Sequence, residues 1–174
     1  MAAIRVREAA GEDVSALSSV GREAFAAAYR GTAPDSDIER HLVDYFGAAA
    51  IREALRRDDV TYFIAEDGSR CAGLVKLCTS APPPAVPARN ALEVQQLYVA
   101  PASQRRGVGR RLMDRAVEFA RQGSRDGVWL SVWTDADWAT AFYRGYGFAA
   151  IGTLPFTLGD SSYTDYLMWL PIET

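Results

Sequence analysis

LEVQQLYVAPASQRRGVGRRLMDRAVEFA, residues 92–120, decides the reading of this chain. An apolar, β-prone run (91–99) passes through a turn (100–106) into a segment with helical periodicity (107–122). The turn carries Gln104, Arg105, Arg106, Gly107, Val108 and Gly109. Gly107 and Gly109 have no side chains, so a ligand can approach the backbone there. The first turn of the helix offers unsatisfied N–H groups and the positive end of the helix dipole, which together make a diphosphate site. Residues 104–125 contain seven arginines, Arg110 among them, and only two acids, in a chain whose net charge is −3. That local reversal of sign fits an anionic ligand. A P-loop is disfavoured because no Lys-Ser/Thr pair follows the second glycine. A dinucleotide-binding loop is disfavoured because Leu112 stands where the third glycine of G-x-G-x-x-G belongs.

Working outward, IRVRE (4–8) alternates like a short strand, and residues 12–29 place Val14, Leu17, Val20, Ala24, Phe25 and Ala28 at helical spacing. A second helix is expected after Pro34 and Asp35, and residues 48–57 read as its continuation or a third. VTYFIAE (60–66), Asp67–Gly68 and CAGLVKLCT (71–79) read as a hairpin. SAPPPAVPARN (80–90) holds four of the eight prolines and must be a loop, read as a surface connector rather than a substrate lid. Beyond the decisive segment come a strand (127–133), a helix (136–146) and strands at 148–153 and 163–170. This order predicts a mixed α/β fold in one domain over residues 1–174, a length that buries about 70% of the unfolded surface.

Several function classes recede on composition. No run approaches the ~20 apolar residues of a membrane helix. The first residues, MAAIRVREAA, lack a signal-peptide core. Cys71 and Cys78 sit seven apart in one strand, so simple alternation puts them on opposite faces, as reduced thiols of a cytoplasmic protein. The acidic balance argues against nucleic-acid binding, and a single histidine, His41, without clustered ligands argues against a metal.

The strand, Q-x-x-G-x-G turn and helix, followed by SVWTDADWATAFYRGYGF (131–148), resemble the acetyl-CoA-binding half of the GNAT acetyltransferase superfamily. The second landmark, A-x-x-F-Y-x-x-x-G-F, is matched by Ala139, Phe142, Tyr143, Gly147 and Phe148. The resemblance implies a twisted, mostly antiparallel sheet of about seven strands with a central parallel pair, flanked by helices. It implies acetyl-CoA as cosubstrate, held by Gln104 to Arg110 and by the backbone of Leu97, Tyr98 and Val99 where two strands splay apart. The Val99 N–H would polarise the thioester carbonyl, Tyr143 would protonate the departing thiolate, and Glu93 would be a water-mediated general base. Packing is the plainer reading of Tyr143, and solvent exposure that of Glu93.

The acceptor would be a primary amine on a small molecule or a peptide. Residues 126–174 carry six acids and one arginine, which would steer a cationic amine. Phe25, Tyr29 and Trp138 are candidate walls of the acceptor channel, Trp138 by stacking on a cation. The tail at 152–172 is similar to the bacterial spermine/spermidine acetyltransferase branch, with Leu154 and Thr157 where that branch often has a histidine and an aromatic. Ala136 stands where the family usually has a cofactor-contacting asparagine, with Asp135 or Asp137 expected to cap the helix instead. That alanine is the feature favouring a non-catalytic acyl-CoA sensor or interaction module. Members of this family often dimerise through sheet edges or the C-terminal strand.

Overall fold

The computed structural model describes residues 3–173. The elements in chain order are β1 (Ile4–Glu8), α1 (Val14–Tyr29), α2 (Asp35–Phe46), α3 (Ala48–Ala54), β2 (Val60–Asp67), β3 (Arg70–Cys78), β4 (Ala91–Val99), α4 (Val108–Gln122), β5 (Gly127–Trp133), α5 (Asp137–Tyr146), β6 (Ala149–Leu158) and β7 (Ser161–Pro171). Seven strands form one sheet in the order β1-β2-β3-β4-β5-β7-β6. Every neighbouring pair is antiparallel except β4 and β5.

Helices cover both faces. On one, α4 buries Val108, Leu112, Met113, Ala116, Val117 and Ala120, one stripe of an otherwise arginine-rich helix. It lies close on β3 because Gly73 has no Cβ: one added there would stand 3.1 Å from Val108 and from Leu112. On the other face α1 and α3 cover Tyr62, Ile64, Leu74 and Cys78. A further cluster joins Phe25, Ile38, Leu42, Phe46 and Leu158, tying α1 and α2 to the tip of the β6–β7 hairpin.

The structure corrects the cysteine placement and the length of the last two strands, and it adds detail at two further segments. The extra residue Ala72 shifts the register of β3 against β2, where Ala65 faces Gly73 and Glu66 faces Cys71. Both cysteines therefore pack toward the α1 face, still as free thiols at opposite ends of the strand. The segment at 48–57 is a separate helix, because Gly47 turns extended and a Cβ there would strike the Val43 carbonyl. The last two strands are longer than the alternation indicated and form one hairpin turned at Gly159 and Asp160. Pro155 is tolerated inside β6 because that strand is an edge. Finally, Val86 of the proline-rich loop is buried with Trp129 and Trp169, so the loop packs on the lower end of the sheet.

Among the described residues no helix is long and apolar enough to cross a membrane, and no group of three His, Cys, Asp or Glu could hold a metal ion. His41 stacks between Phe25 and Tyr45, each at 4.3 Å, and burial pushes its pKa down to about 4.

Candidate active site

β4 and β5 pair only at Ala91–Gly127, Leu92–Val128 and Glu93–Trp129, and beyond Glu93 they part. The cause lies in β4 itself. Gln95 is an extra residue between the pairs Val94–Leu77 and Gln96–Lys76, and such a bulge bends its strand. After it β4 follows β3 and leaves β5 behind. The Ala100 N–H bonds to the Ala72 carbonyl at 2.9 Å, so strand alternation turns the Tyr98 backbone toward β3 as well. The N–H and C=O groups of Leu97 and Val99 face the opening. Of the three backbone positions expected there, two are presented, while Tyr98 contributes its ring to the α1 face.

The turn after β4 presents free main-chain N–H groups. Arg105 and Gly107 take left-handed conformations, with φ of 59° and 78°. The first main-chain bond of α4 runs from the Arg111 N–H to the Gly107 carbonyl at 3.1 Å, and among the described residues no N–H from Arg105 to Arg110 has a main-chain acceptor. Successive free N–H groups at a helix start form a concave anion site. A Cβ on Gly109 would lie 3.6 Å from both Val99 and Phe142, so this glycine keeps open the passage between the turn and the splay. The Gln104 amide donates to the Val99 carbonyl at 3.5 Å. Arg106 pairs with Asp67 at 2.5 Å across the β2–β3 turn, and Arg110 lies over the Tyr146 ring at 5.4 Å.

The helix expected to face the sulfur is α5. Tyr143 packs edge-on against Phe142 at 5.2 Å and Phe148 at 5.8 Å. Burial pushes its pKa well up, with a smaller contribution from Tyr29. The Tyr98 phenol is raised by burial too, then by Tyr29, Tyr143 and Asp165. These four groups, from α1, β4, α5 and β7, therefore gather at the mouth of the splay. Glu93 does not join them. It faces the same side of the sheet but sits at the closed end, six residues and roughly 20 Å of strand before Val99. Burial raises its pKa, partly offset by the Ser80 hydroxyl, which donates to it at 3.4 Å, and by Lys76.

On the α1 side of the splay the wall is aromatic, and it includes rings beyond the expected Phe25 and Tyr29. Tyr29 lies 5.8 Å from Trp133, which lies 5.7 Å from Tyr163. The Tyr163 hydroxyl donates to the Thr32 carbonyl at 2.9 Å, fastening the hairpin over the α1–α2 corner. Phe25 is 2% exposed and braces Tyr29 from behind at 4.5 Å. Trp138 is 67% exposed on α5 and, among the described residues, stacks on no ring of this wall. Trp133, Tyr163 and Asp165 were not singled out from the sequence. Their shared parity across the β5–β7 register was the available signal.

Ala136 is the N-cap of α5, buried and without any side-chain cap. Neither flanking aspartate takes over, and Asp135 instead accepts from Thr134 at 3.4 Å. Ala136→Asn is expected to tighten cofactor binding by about one hydrogen bond, ~0.5–1.5 kcal/mol. Calorimetric titration checks this, and an unchanged affinity means a water or main-chain group already fills that place.

Comparison with known proteins agrees with this geometry. The pattern of the acetyltransferase (GNAT) family matches residues 22–148. An uncharacterized N-acetyltransferase in the pepI 3' region of Lactobacillus delbrueckii subsp. lactis is 27% identical over 169 residues, 97% of each chain. The N-alpha-acetyltransferase RimI of Mycobacterium tuberculosis is 48% identical over 60 residues, 34% of this chain and 36% of that protein. Among solved structures, the PaiA N-acetyltransferase from Thermoplasma acidophilum in complex with coenzyme A superposes with a TM-score of 0.82 at 21% identity, covering 98% of this chain and 99% of the other. A family pattern spanning most of the chain, on a sheet splayed at its parallel pair, has one reading: the chain belongs to the acetyltransferase (GNAT) family and is an acetyl-CoA-dependent N-acetyltransferase.

Proposed function

We propose that the protein acetylates a small primary amine that arrives as a cation, of which polyamines are one class. The observation that carries this reading is the aromatic wall of Tyr29, Trp133 and Tyr163 around a buried carboxylate on the acceptor side of the splay. Ring faces and an anion together favour an ammonium group. The free N–H groups from Arg105 to Arg110 would hold the diphosphate of acetyl-CoA, and the Leu97 and Val99 backbone its pantetheine arm. The cosubstrate supplies the activated acetyl group. The Val99 N–H would polarise its carbonyl, and Tyr143, kept protonated by burial, would supply the proton for the leaving sulfur. Glu93 would act only through water, given its place at the closed end. Two free cysteines support a reducing, cytoplasmic setting.

A peptide α-amine acceptor is the second reading, favoured by the 48% identity to RimI over 60 residues. Steady-state kinetics with a panel of diamines, polyamines, amino acids and peptides separate them. The first reading expects the highest kcat/KM for small cationic amines. A preference for peptide N-termini supports the second.

A further inference from the structure

Of the buried acids among the described residues, Asp13, Asp37 and Asp165, only Asp165 has no ion pair. It lies in β7 opposite Trp133 of β5, on the face covered by α1. Its residue is only 7% exposed, and its Oδ1 is buried with no hydrogen-bond partner. A buried acceptor without a donor is costly, and native folds seldom leave one unless something else satisfies it. The groups facing it are Tyr29 from α1, Tyr98 from β4, Ser131 and Trp133 from β5, and Leu154 across the β6 pairing. Burial raises its pKa, with Ser131 partly offsetting, and no lysine or arginine takes part. Among the described residues none forms an ion pair with this carboxylate, which stands beside the phenols that gather at the mouth of the splay. Glu93, farther along this face, already has Ser80 and Lys76.

We propose that Asp165 receives the acceptor's ammonium group and takes its proton directly. This rests on the transferase reading above. The arriving R–NH3+ donates to Oδ1, and one proton passes to the carboxylate, leaving a carboxylic acid and a neutral amine. The nitrogen lone pair forms the C–N bond to the thioester carbonyl carbon as the C–S bond breaks. Tyr143 gives its proton to sulfur and recovers one from nitrogen. Asp165 then returns its proton to water, so the products are the amide, the thiol and one proton. A donor-rich ammonium satisfies the orphan oxygen, and the rings around it hold the charge.

The test compares the wild type with Asp165→Asn and Glu93→Gln, using two acceptors: a diamine, cationic at neutral pH, and an alkoxyamine of low pKa, already neutral there. With the diamine, Asp165→Asn should lower kcat/KM by about 10²–10⁴ and remove the acidic limb of its pH profile. Glu93→Gln should lower it much less. With the alkoxyamine the Asp165→Asn penalty should largely disappear. The melting temperature should hold or rise. A carboxyl whose pKa is raised on folding loses stability as pH climbs from its unfolded to its folded value, and an amide is spared that loss. Equal penalties for both acceptors, or unchanged rates, overturn the proposal while the transferase reading stands. If the wild type acetylates no amine at all, both fall. Should Asp165→Asn not fold, Asp165→Ser read by the same ratio between acceptors decides.

Discussion

Tyr143→Phe is expected to lower kcat by roughly 10²–10⁴ while cofactor affinity and melting temperature stay nearly unchanged. The substitution removes one hydroxyl and keeps the ring that packs against Phe142 and Phe148. No protein hydrogen bond to that hydroxyl is lost among those the structure shows, so the fold has little reason to suffer. Burial holds the phenol proton well above neutrality, which fits a group that delivers a proton rather than one that ionises at rest. Steady-state kinetics beside a melting curve and a cofactor titration give the result. A Phe variant with full rate makes Tyr143 a packing residue. A collapse of affinity together with rate makes the hydroxyl a binding contact.

Gly109→Val is expected to weaken acetyl-CoA binding by on the order of 100-fold or more, a loss of about 3 kcal/mol, in a protein that still folds. An added Cβ at 109 meets Val99 and Phe142 at ordinary contact distance, so the fold tolerates the first carbon. The two further methyl groups of valine fill the passage between the anion-binding turn and the splayed strands. Calorimetry on a variant with native circular dichroism separates binding from folding. Unchanged affinity would place the cosubstrate elsewhere.

The decisive segment made most of the fold legible. Val108, Leu112, Met113, Ala116 and Ala120 form one apolar stripe that only a helix explains, and the glycine turn before it marks where that helix starts. The hairpin at 60–78 and the α1 stripe were equally plain, because period and turn chemistry agreed. What escaped were features set by register. In LEVQQLYV the apolar positions run 92, 94, then 97, 99, a break in phase that reports the Gln95 bulge and hence the splay. It was read as one uniform strand, and the splay came from resemblance instead. The bulge at Ala72 misplaced the cysteines in the same way. The last strand, expected over 163–170, already contained Asp165, but its place opposite Trp133 depends on the β5–β7 register, which no local pattern reports. Trp138, offered as a channel wall, stands exposed on α5, apart from the Tyr29, Trp133 and Tyr163 rings.

Stability and catalysis pull in opposite directions at the mouth of the splay. Among the described residues Asp165 is buried without a counter-ion, and the departure of β5 leaves Leu97 and the Val99 N–H without a strand partner on that side. Both cost folding free energy, and both are what a cationic amine and a thioester carbonyl would satisfy.

The most direct measurement incubates the wild-type protein with acetyl-CoA and a diamine, and follows thiol release and acetylated amine by mass in the same samples. The account predicts one thiol released per acetyl group on nitrogen, with thiol release falling to background when the amine is left out. Tight acetyl-CoA binding with no thiol released for any amine would contradict it, and would make the protein an acyl-CoA-binding module rather than an enzyme.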